Sequence, residues 1–114
     1  MKQGEVWWAE INPTIGNEIQ GKGLKGMRPV LVIQPDVFNN NPSFGTVMVV
    51  PITSTLKNYP WRVATRETTK KPSAIVCEQI RTLDKSRLTH KMCSVTPDEL
   101  EAVLKIMRSF FSNK

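Results

Sequence analysis

The sequence predicts a mainly β protein, built as a twisted, mostly antiparallel sheet of about six short strands with one helix at the C-terminus. Short runs of β-branched and aromatic residues alternate with turns rich in Pro, Gly and Asn along most of the chain. Apolar residues adopt helical spacing only near the C-terminus. With 114 residues, the chain is long enough for one core, and we expect a single domain over residues 1–114.

The predicted strands follow one another with turn signals between them. Residues 5–11 mix β-branched and aromatic side chains and end at Asn12-Pro13, a turn signal. Residues 29–34 form a short continuous apolar run, which is typical of a strand buried on both faces. The other predicted strands are residues 46–52, 61–65, 74–80 and 87–95.

The connections and the final helix have their own signatures. Residues 14–26 contain four glycines and two lysines without periodicity, which predicts a flexible loop. Residues 39–45 are a dense turn cluster, and residues 67–72 form a charged loop. Thr96-Pro-Asp-Glu99 is a capping box with Pro at the first helical position. The apolar stripe expected to pack on the sheet comprises Leu100, Val103, Leu104, Met107 and Phe110 or Phe111.

Bulk properties narrow the class of protein. The net charge of +6 favours an anionic partner, either nucleic acid or an acidic protein. Apolar runs fall short of the roughly 18–20 residues that span a bilayer, and charge at Glu5 and Glu10 interrupts any secretory signal. We therefore expect a cytoplasmic protein without a membrane partner. Cys77 and Cys93 have neither metal-site nor disulfide spacing, so we expect free buried thiols.

Several kinds of chemistry can be excluded or disfavoured. His90 is the only histidine, which rules out a histidine-pair ribonuclease. The acidic residues are dispersed and there is no Cys/His cluster, so we expect no metal and no cofactor. Gly21, Gly23 and Gly26 match GxGxxG, but they lie between two strands and open no helix, so they do not predict a dinucleotide site.

A site without histidine or metal suits RNA, which carries its own nucleophile in the 2′-OH. Attack by that hydroxyl adds negative charge to the phosphate, and a fixed guanidinium can stabilise it. Arg28 is the candidate, since Pro29 restricts its backbone at the start of a strand. Thr53, at the end of another strand, has a hydroxyl that can contact the phosphate or orient the 2′-OH. From the residues alone, an ordinary solvent-facing arginine at a strand end and a structural threonine are the favoured interpretations.

Three motifs occur in an order that resembles a known family. They are the Gly- and Lys-rich loop leading into Met27-Arg28-Pro29, then Pro51-Ile-Thr-Ser54, and then Glu78-Gln-Ile-Arg-Thr-Leu-Asp84. With the terminal helix, the chain resembles the MazF/PemK-like toxins over nearly its whole length. These are small ribosome-independent endoribonucleases of type II toxin–antitoxin pairs. The resemblance implies an SH3-like partial barrel of the CcdB/PemK type that forms a homodimer.

The resemblance also implies an activity and partners. The reaction would be metal-independent, sequence-specific cleavage of single-stranded RNA such as mRNA, leaving 2′,3′-cyclic phosphate and 5′-OH ends. Arg28 and Thr53 match the family's catalytic pair, and Glu78 matches the acid that some relatives use as general base. An acidic MazE-like antitoxin would hold the activity off by placing its C-terminal segment in the RNA groove. Promoter DNA would be bound only through the antitoxin complex.

Further residues are expected to contact RNA, although the chain departs from the family here. Asn17 stands where some relatives have His, and Val76 replaces an arginine. Nine residues separate Glu18 from Arg28, more than the short family connection. Gln79 and Arg81 are expected to extend from the same strand as Glu78, although Gln79 could equally hold the sheet edge. The predicted RNA contacts are Asn17, Glu18, Lys22, Lys25, Ser54, Gln79 and Arg81; the loop lysines are equally compatible with a solvated surface.

Two other functions are compatible with the same fold. One is a CcdB-like toxin that poisons DNA gyrase, and the other is a non-catalytic SH3-like nucleic-acid-binding module. The Arg-Pro and Pro-Ile-Thr motifs favour the nuclease, because a protein that only binds needs neither. RNA left intact after long incubation would indicate one of the other two. The recognised RNA sequence and the identity of the general base and acid stay open.

Overall fold

The computed structural model describes residues 1–11, 26–66 and 71–113. This part of the chain forms seven strands and two α-helices, in the order β1 (Glu5–Glu10), β2 (Met27–Val32), α1 (Asp36–Asn39), β3 (Thr46–Thr53), β4 (Arg62–Thr65), β5 (Ser73–Val76), β6 (Arg81–Asp84), β7 (Leu88–Ser94) and α2 (Pro97–Phe110). A single 3-10 turn, Lys85–Arg87, joins β6 to β7. The predicted loop at residues 14–26 lies outside the described residues except for Gly26, as does most of the one at 67–72.

The strands form an antiparallel sheet in the order β4-β5-β3-β2-β1-β7, with β6 also paired to β3. The strand β3 is central, because one of its edges pairs with β2 while the other pairs with β6 and then β5. The prediction of a mainly β, antiparallel protein with a C-terminal helix is confirmed. The number of strands was wrong, since the described residues contain seven rather than six.

The additional strand arises because the segment predicted as one strand, residues 74–80, does not continue as a strand after Val76. The prediction was therefore wrong for the second half of that segment. The strand β5 ends at Val76, and the Gln79 N–H donates to the Val76 carbonyl at 3.2 Å, which closes a turn. The chain then pairs again with β3 as β6, because β3 is long enough to bind two short strands in series along one edge. Glu78 and Gln79 therefore lie in a turn, and Arg81 begins a different strand.

Other differences are smaller. The strand β2 begins and ends two residues earlier than predicted. The short helix α1 precedes the predicted turn cluster, where no helix was expected. It is held by buried amides: Asn39 donates to the Gln34 carbonyl at 2.7 Å, and Gln34 donates to the Asn39 side chain at 3.0 Å. Of the two free thiols, Cys77 is buried as predicted, whereas Cys93 is only half-buried.

The sheet has two differently occupied faces, because side chains alternate along each strand. We call the face that packs against α2 the helix face; its cluster includes Leu31, Ile33, Val50, Ile52, Ile75, Val103 and Met107. The other side, here the opposite face, curls around a second cluster formed by Ala9, Ile11, Val30, Val32, Val47, Val49, Leu83 and Leu88. The alternation along β2 and β3 therefore shows on which face each neighbouring polar residue lies.

The helix α2 begins as the sequence predicts. The Thr96 hydroxyl accepts from the Glu99 N–H at 3.1 Å, and the Glu99 carboxylate accepts from the Thr96 N–H at 3.0 Å. The prediction that Phe110 or Phe111 completes the packed stripe was wrong, because these side chains are 43% and 76% exposed. Ile106 takes that position beside the buried residues of the helix. Neither described helix is long and apolar enough to cross a membrane.

Candidate active site

Arg28 lies near the start of β2, and the backbone before it is tightly fixed. Gly26 has φ +72°, and its carbonyl accepts from the Ile11 N–H at 2.8 Å. A Cβ at Gly26 would lie 3.2 Å from the Ile11 carbonyl oxygen, so glycine suits both the conformation and the close approach. This turn and the pairing of Arg28 with Ala9 of β1 set the position of the arginine.

The Arg28 side chain is half-buried, and its environment suits an anionic ligand. Burial lowers the pKa of the Arg28 guanidinium from its usual value, but an arginine still stays charged at neutral pH. In the part of the chain that the structure describes, no group accepts a hydrogen bond from its buried Nε. A buried donor without a partner is costly, and an oxygen of a bound phosphate would satisfy it.

Thr53 is the last residue of β3 and is 9% exposed. Its Oγ1 accepts a hydrogen bond from the Thr55 N–H at 3.1 Å. This bond fixes the orientation of the side chain and uses the oxygen as an acceptor, so the hydroxyl proton can still be donated. Ser54 follows immediately and is exposed.

The strand register brings Arg28 and Thr53 to the same place on the sheet. The pairing of β2 with β3 ends at Val30 and Pro51. If this antiparallel register is continued for two residues beyond that last pair, Arg28 falls opposite Thr53. Side chains two residues apart on a strand point the same way. Arg28 is therefore on the same face as Val30 and Val32 of β2, and Thr53 on the same face as Val47 and Val49 of β3, which is the opposite face. Directly opposite residues have Cβ atoms about 4.5–5.5 Å apart, which is close enough for both side chains to contact one phosphate.

A second arginine lies on this face. Arg81 begins β6, pairs with Val49 of β3 and alternates in phase with the buried Leu83. It is therefore on the same face as Arg28 and Thr53, along the other edge of β3. The opposite face thus carries two guanidinium groups and a hydroxyl beside its apolar cluster.

Glu78 lies in the turn after β5 and forms an ion pair with Arg62 of β4. The Arg62 Nε and Nη2 donate to the same carboxylate oxygen at 3.2 and 2.8 Å, and the Trp61 side chain lines the same groove. Partial burial is the largest single influence and acts to raise the pKa of Glu78. The hydrogen bonds and charge of Arg62, a backbone hydrogen bond and Trp61 together outweigh it, so this pKa lies below its ordinary value. A carboxylate stabilised in this way is a weak proton acceptor.

Around this ion pair lies an open groove of about 780 Å³. The rings of Tyr59, Trp61 and Phe110 and the side chains of Lys57 and Gln79 line it together with Arg62 and Glu78. Arg62 pairs with Val76, whereas the next residue, Val63, packs against the cluster of the helix face. By alternation, Arg62 points to the opposite face, whereas Phe110 belongs to α2 on the helix face, so the groove lies at the β4 edge of the sheet.

The model of the PemK-like, MazF-like toxins of type II toxin–antitoxin systems matches residues 2–111. The chain belongs to this toxin family. A relative in Bacillus subtilis (strain 168), endoribonuclease EndoA, is 38% identical over 108 residues, covering 90% of this chain and 87% of the relative. Endoribonuclease MazF of Staphylococcus saprophyticus is 36% identical over 108 residues, covering 90% and 84%.

Solved structures show the same fold. MazF from Deinococcus radiodurans superposes with a TM-score of 0.78 at 26% identity, covering 96% of this chain and 94% of that chain. A MazE–MazF structure from the same organism (Form-III) gives a TM-score of 0.75 at 25% identity, with coverages of 96% and 94%. Mycobacterium tuberculosis toxin MazF-mt6, at 19% identity and a TM-score of 0.73, covers 96% and 99% and supports the fold alone. The family resemblance predicted from the sequence is confirmed.

The residues predicted for the site in this PemK-like toxin fall into three groups. The register brings Arg28 and Thr53 together, with Arg81 and Ser54 nearby. Glu78 and Gln79 line the groove instead. The remaining predicted RNA contacts, Asn17, Glu18, Lys22 and Lys25, lie outside the described residues.

The sequence did not identify Arg62, Tyr59 and Trp61 as residues of the site. Period 2 over residues 61–65 indicated a half-exposed strand, and this alternation already placed Arg62 on the other face from Val63. The partner of Arg62, Glu78, is sixteen positions away and belongs to a turn that the sequence did not predict. Within the described ranges, no three His, Cys, Asp or Glu side chains are grouped so that they could hold a metal ion.

Proposed function

We propose that this chain is the endoribonuclease toxin of a type II toxin–antitoxin pair and cleaves single-stranded RNA without a metal ion. The observation that carries the proposal is the buried Arg28 Nε without an acceptor among the described residues, on the face to which strand alternation also assigns Thr53. The names of the relatives from B. subtilis and S. saprophyticus, both endoribonucleases, support it. The gyrase-poisoning and binding-only alternatives need neither side chain.

The reaction proceeds by attack of the 2′-OH of RNA on the adjacent phosphorus. The bond between the 2′ oxygen and phosphorus forms, the bond from phosphorus to the 5′ oxygen breaks, and the products carry 2′,3′-cyclic phosphate and 5′-OH ends. Arg28 donates to the non-bridging oxygens, where negative charge increases in the transition state. Thr53 donates its hydroxyl proton to the phosphate or orients the 2′-OH.

We do not assign Glu78 as the general base, although the family resemblance implies that role. Its carboxylate is bound by Arg62, and its pKa lies below the ordinary value because the hydrogen bonds and charge of Arg62, with smaller contributions, together outweigh the effect of partial burial. While this ion pair is intact, Glu78 positions Arg62 and Trp61 in the groove. The general base therefore stays unassigned in our proposal.

The partners follow from charge and from the relatives. The net charge of +6 suits RNA as substrate and an acidic antitoxin as inhibitor, and one of the similar structures is a MazE–MazF complex. We propose a homodimer whose RNA groove the C-terminal segment of the antitoxin occupies, with promoter DNA bound only through that complex. Ser54, Gln79 and Arg81 are the proposed RNA contacts among the described residues, and Asn17, Glu18, Lys22 and Lys25 those of the loop.

The test is incubation of the purified protein with a mixed RNA in EDTA, beside Arg28→Ala and Thr53→Ala variants whose folding is verified by circular dichroism. We expect discrete cuts with cyclic-phosphate ends, lost in both variants. His90→Ala, which changes an exposed side chain, is the control and should cut normally. Intact RNA with the wild-type protein would refute the nuclease, and cuts that survive both substitutions would indicate a contaminating enzyme.

A further inference from the structure

On the basis of this proposed function, we propose that the groove beside Trp61 is a nucleobase subsite. An unpaired base of the RNA, close in sequence to the scissile phosphate, stacks there on the exposed ring of Trp61. The subsite lies beside the proposed catalytic pair and extends the site along the RNA strand.

The aromatic pair in the groove has the geometry of a stacking platform. The rings of Tyr59 and Trp61 lie 4.9 Å apart between centroids and only 8° from parallel. They are 39% and 38% exposed and belong to neither apolar cluster of the sheet. Their arrangement is therefore not explained by packing of the core. Flat exposed aromatic rings are the usual partners of unpaired bases.

The platform is held in place before any ligand binds. The ring of Trp61 stacks on that of Tyr59, and two hydrogen bonds join Arg62, the residue after Trp61, to the Glu78 carboxylate. The Arg62 guanidinium lies 4.8 Å from the centroid of the Tyr59 ring. These contacts connect β4 to the turn after β5, so the rings lose little freedom when a base binds. Glu78 is the positioning residue of this arrangement.

The chemistry of the groove favours RNA over an apolar peptide anchor. Lys57 supplies a cation for a phosphate, Arg62 is neutralised by Glu78, and Gln79 supplies an amide that can both donate to and accept from the edge of a base. An apolar side chain would cover these polar groups without pairing them, which is costly. Aromatic rings beside cations are the combination that binds single-stranded nucleic acid.

The groove is also at a suitable distance from the proposed catalytic pair. On β5, Val76 pairs with Arg62 and Ala74 pairs with Thr53, so the two positions are two strands and two residues apart. With normal strand spacing and rise, their backbones are roughly 12 Å apart. An extended RNA strand covers this distance between the scissile phosphate and the base of the next nucleotide or the one after it.

The test combines changes in the protein and in the RNA. A substrate containing one cut site is prepared with a single abasic nucleotide at each flanking position in turn. For the wild-type protein, we expect one flanking position where the missing base lowers kcat/KM about tenfold or more. With the intact substrate, Trp61→Ala should lower kcat/KM by the same factor. The abasic change at that position should then cause no further loss in the variant, because the two changes remove one and the same interaction.

Two further variants provide the controls. Trp61→Phe preserves a stacking surface and should retain most of the activity together with the position-specific loss. Phe111→Ala removes a side chain that is 76% exposed and is not among those lining the groove, so it should behave as wild type. If Trp61→Ala shows the same loss at every abasic position as the wild-type protein, the subsite is refuted.

A binding measurement separates the subsite from the nuclease. RNA with a 2′-deoxy nucleotide at the cut cannot react, and stacking on Trp61 should quench tryptophan fluorescence. The quench should disappear in Trp61→Phe while labelled RNA still binds. Quenching without any cleavage by the wild-type protein would refute the proposed function and support the subsite. Cleavage without dependence on Trp61, or an effect of Trp61→Ala confined to inhibition by an acidic antitoxin, would refute the subsite alone.

Discussion

Arg28 is prepared for a phosphate by its neighbours in the chain. Gly26 turns the backbone with a positive φ, and Pro29 limits the conformations of the residue before it. The side chain then lies half-buried with no described acceptor at Nε. A guanidinium presents several donors in a fixed plane, whereas the ammonium of lysine is a compact charge on a flexible stem. The geometry of the site therefore depends on arginine rather than on positive charge alone.

We accordingly predict that Arg28→Lys lowers kcat about 100-fold or more while KM changes little, because the lost donors act on charge that develops in the transition state. Single-turnover cleavage of a defined RNA measures the effect. Arg108→Lys is the matched control, since Arg108 is exposed on α2 and pairs with Glu101. Cleavage by Arg28→Lys within twofold of wild type would show that charge is sufficient.

Substitution of Glu78 tests whether this residue positions its neighbours or acts as the general base. If its carboxylate holds Arg62 and Trp61, Glu78→Gln should raise KM more than it lowers kcat, and the pH profile of kcat should keep its shape. A general base would instead give a large fall in kcat and the loss of the acidic limb of the profile. Steady-state kinetics between mildly acidic and mildly basic pH separates the two roles.

The same residue gives a prediction for stability against pH. Partial burial is the largest single influence and opposes ionisation of Glu78, but the hydrogen bonds and charge of Arg62 together with smaller contributions set its pKa below the usual 4.5. A lowered carboxyl pKa contributes stability that is present above pH 4.5 and lost as the pH falls through the folded-state value. In urea denaturation, wild-type stability should decrease more than that of Glu78→Gln on acidification from pH 6 to below pH 4.5. Equal decreases would contradict the prediction.

Among the elements, α1 depends on a lysine from a distant part of the chain. The Lys85 Nζ donates to the carbonyls of Phe38, Asn39 and Asn41 at 3.0, 3.1 and 3.1 Å. A four-residue helix does not form by itself, because nucleation is unfavourable. The cation satisfies carbonyls at the end of the helix and just beyond it, and so connects α1 to the segment after β6.

We predict that Lys85→Met lowers the free energy of unfolding by about 1–2 kcal/mol, since the apolar stem is retained and the charged hydrogen bonds are lost. Urea denaturation followed by circular dichroism measures the change. Lys105→Met, at an exposed position of α2, is the control and should change stability by less than about 0.5 kcal/mol. An equal effect of the two substitutions would mean that the contacts of Lys85 contribute nothing.

The elements that could be predicted from sequence are those whose signals are local. The start of α2 is set by Thr96 and Glu99, which cap each other, and β3 is a continuous apolar run. The break between β5 and β6 has no such signal, because the turn contains neither Gly nor Pro. The position of this break is determined by β3, because one edge of β3 pairs with β6 along its first half and with β5 at its end.

The same distinction holds in the candidate site. Arg28 and Thr53 were predicted because each stands in a short motif. They fall opposite each other when the register of β2 with β3 is continued two residues past its last pair. The contacts of the groove join Arg62 and Trp61 in one segment to Glu78 in another. Sequence spacing does not reveal such a pairing, so the groove could be identified only from the folded structure.

For the molecule as a whole, we expect the positive charge to contribute to RNA affinity through contacts with individual phosphates. The net charge is +6, Arg28 and Arg81 point to the opposite face, and Lys57 lines the groove at the β4 edge of the sheet. Three phosphate contacts to a single strand would give a slope of about −2 in a plot of log affinity against log salt. Binding of RNA with a 2′-deoxy nucleotide at the cut should therefore weaken about 100-fold for a tenfold increase in salt.

Variants then show which charges contribute to this slope. Arg81→Ala should reduce its magnitude by about 0.7, because one phosphate contact is lost, and Arg108→Ala, on the exposed surface of α2, should leave it unchanged. Fluorescence anisotropy at several salt concentrations measures both. If affinity were independent of salt, the cations on this face would not contact phosphates, and the positive charge would then serve the acidic antitoxin alone. A slope that falls equally in both variants would instead indicate attraction by the overall charge of the molecule, without fixed contacts on the face that carries Arg28 and Thr53.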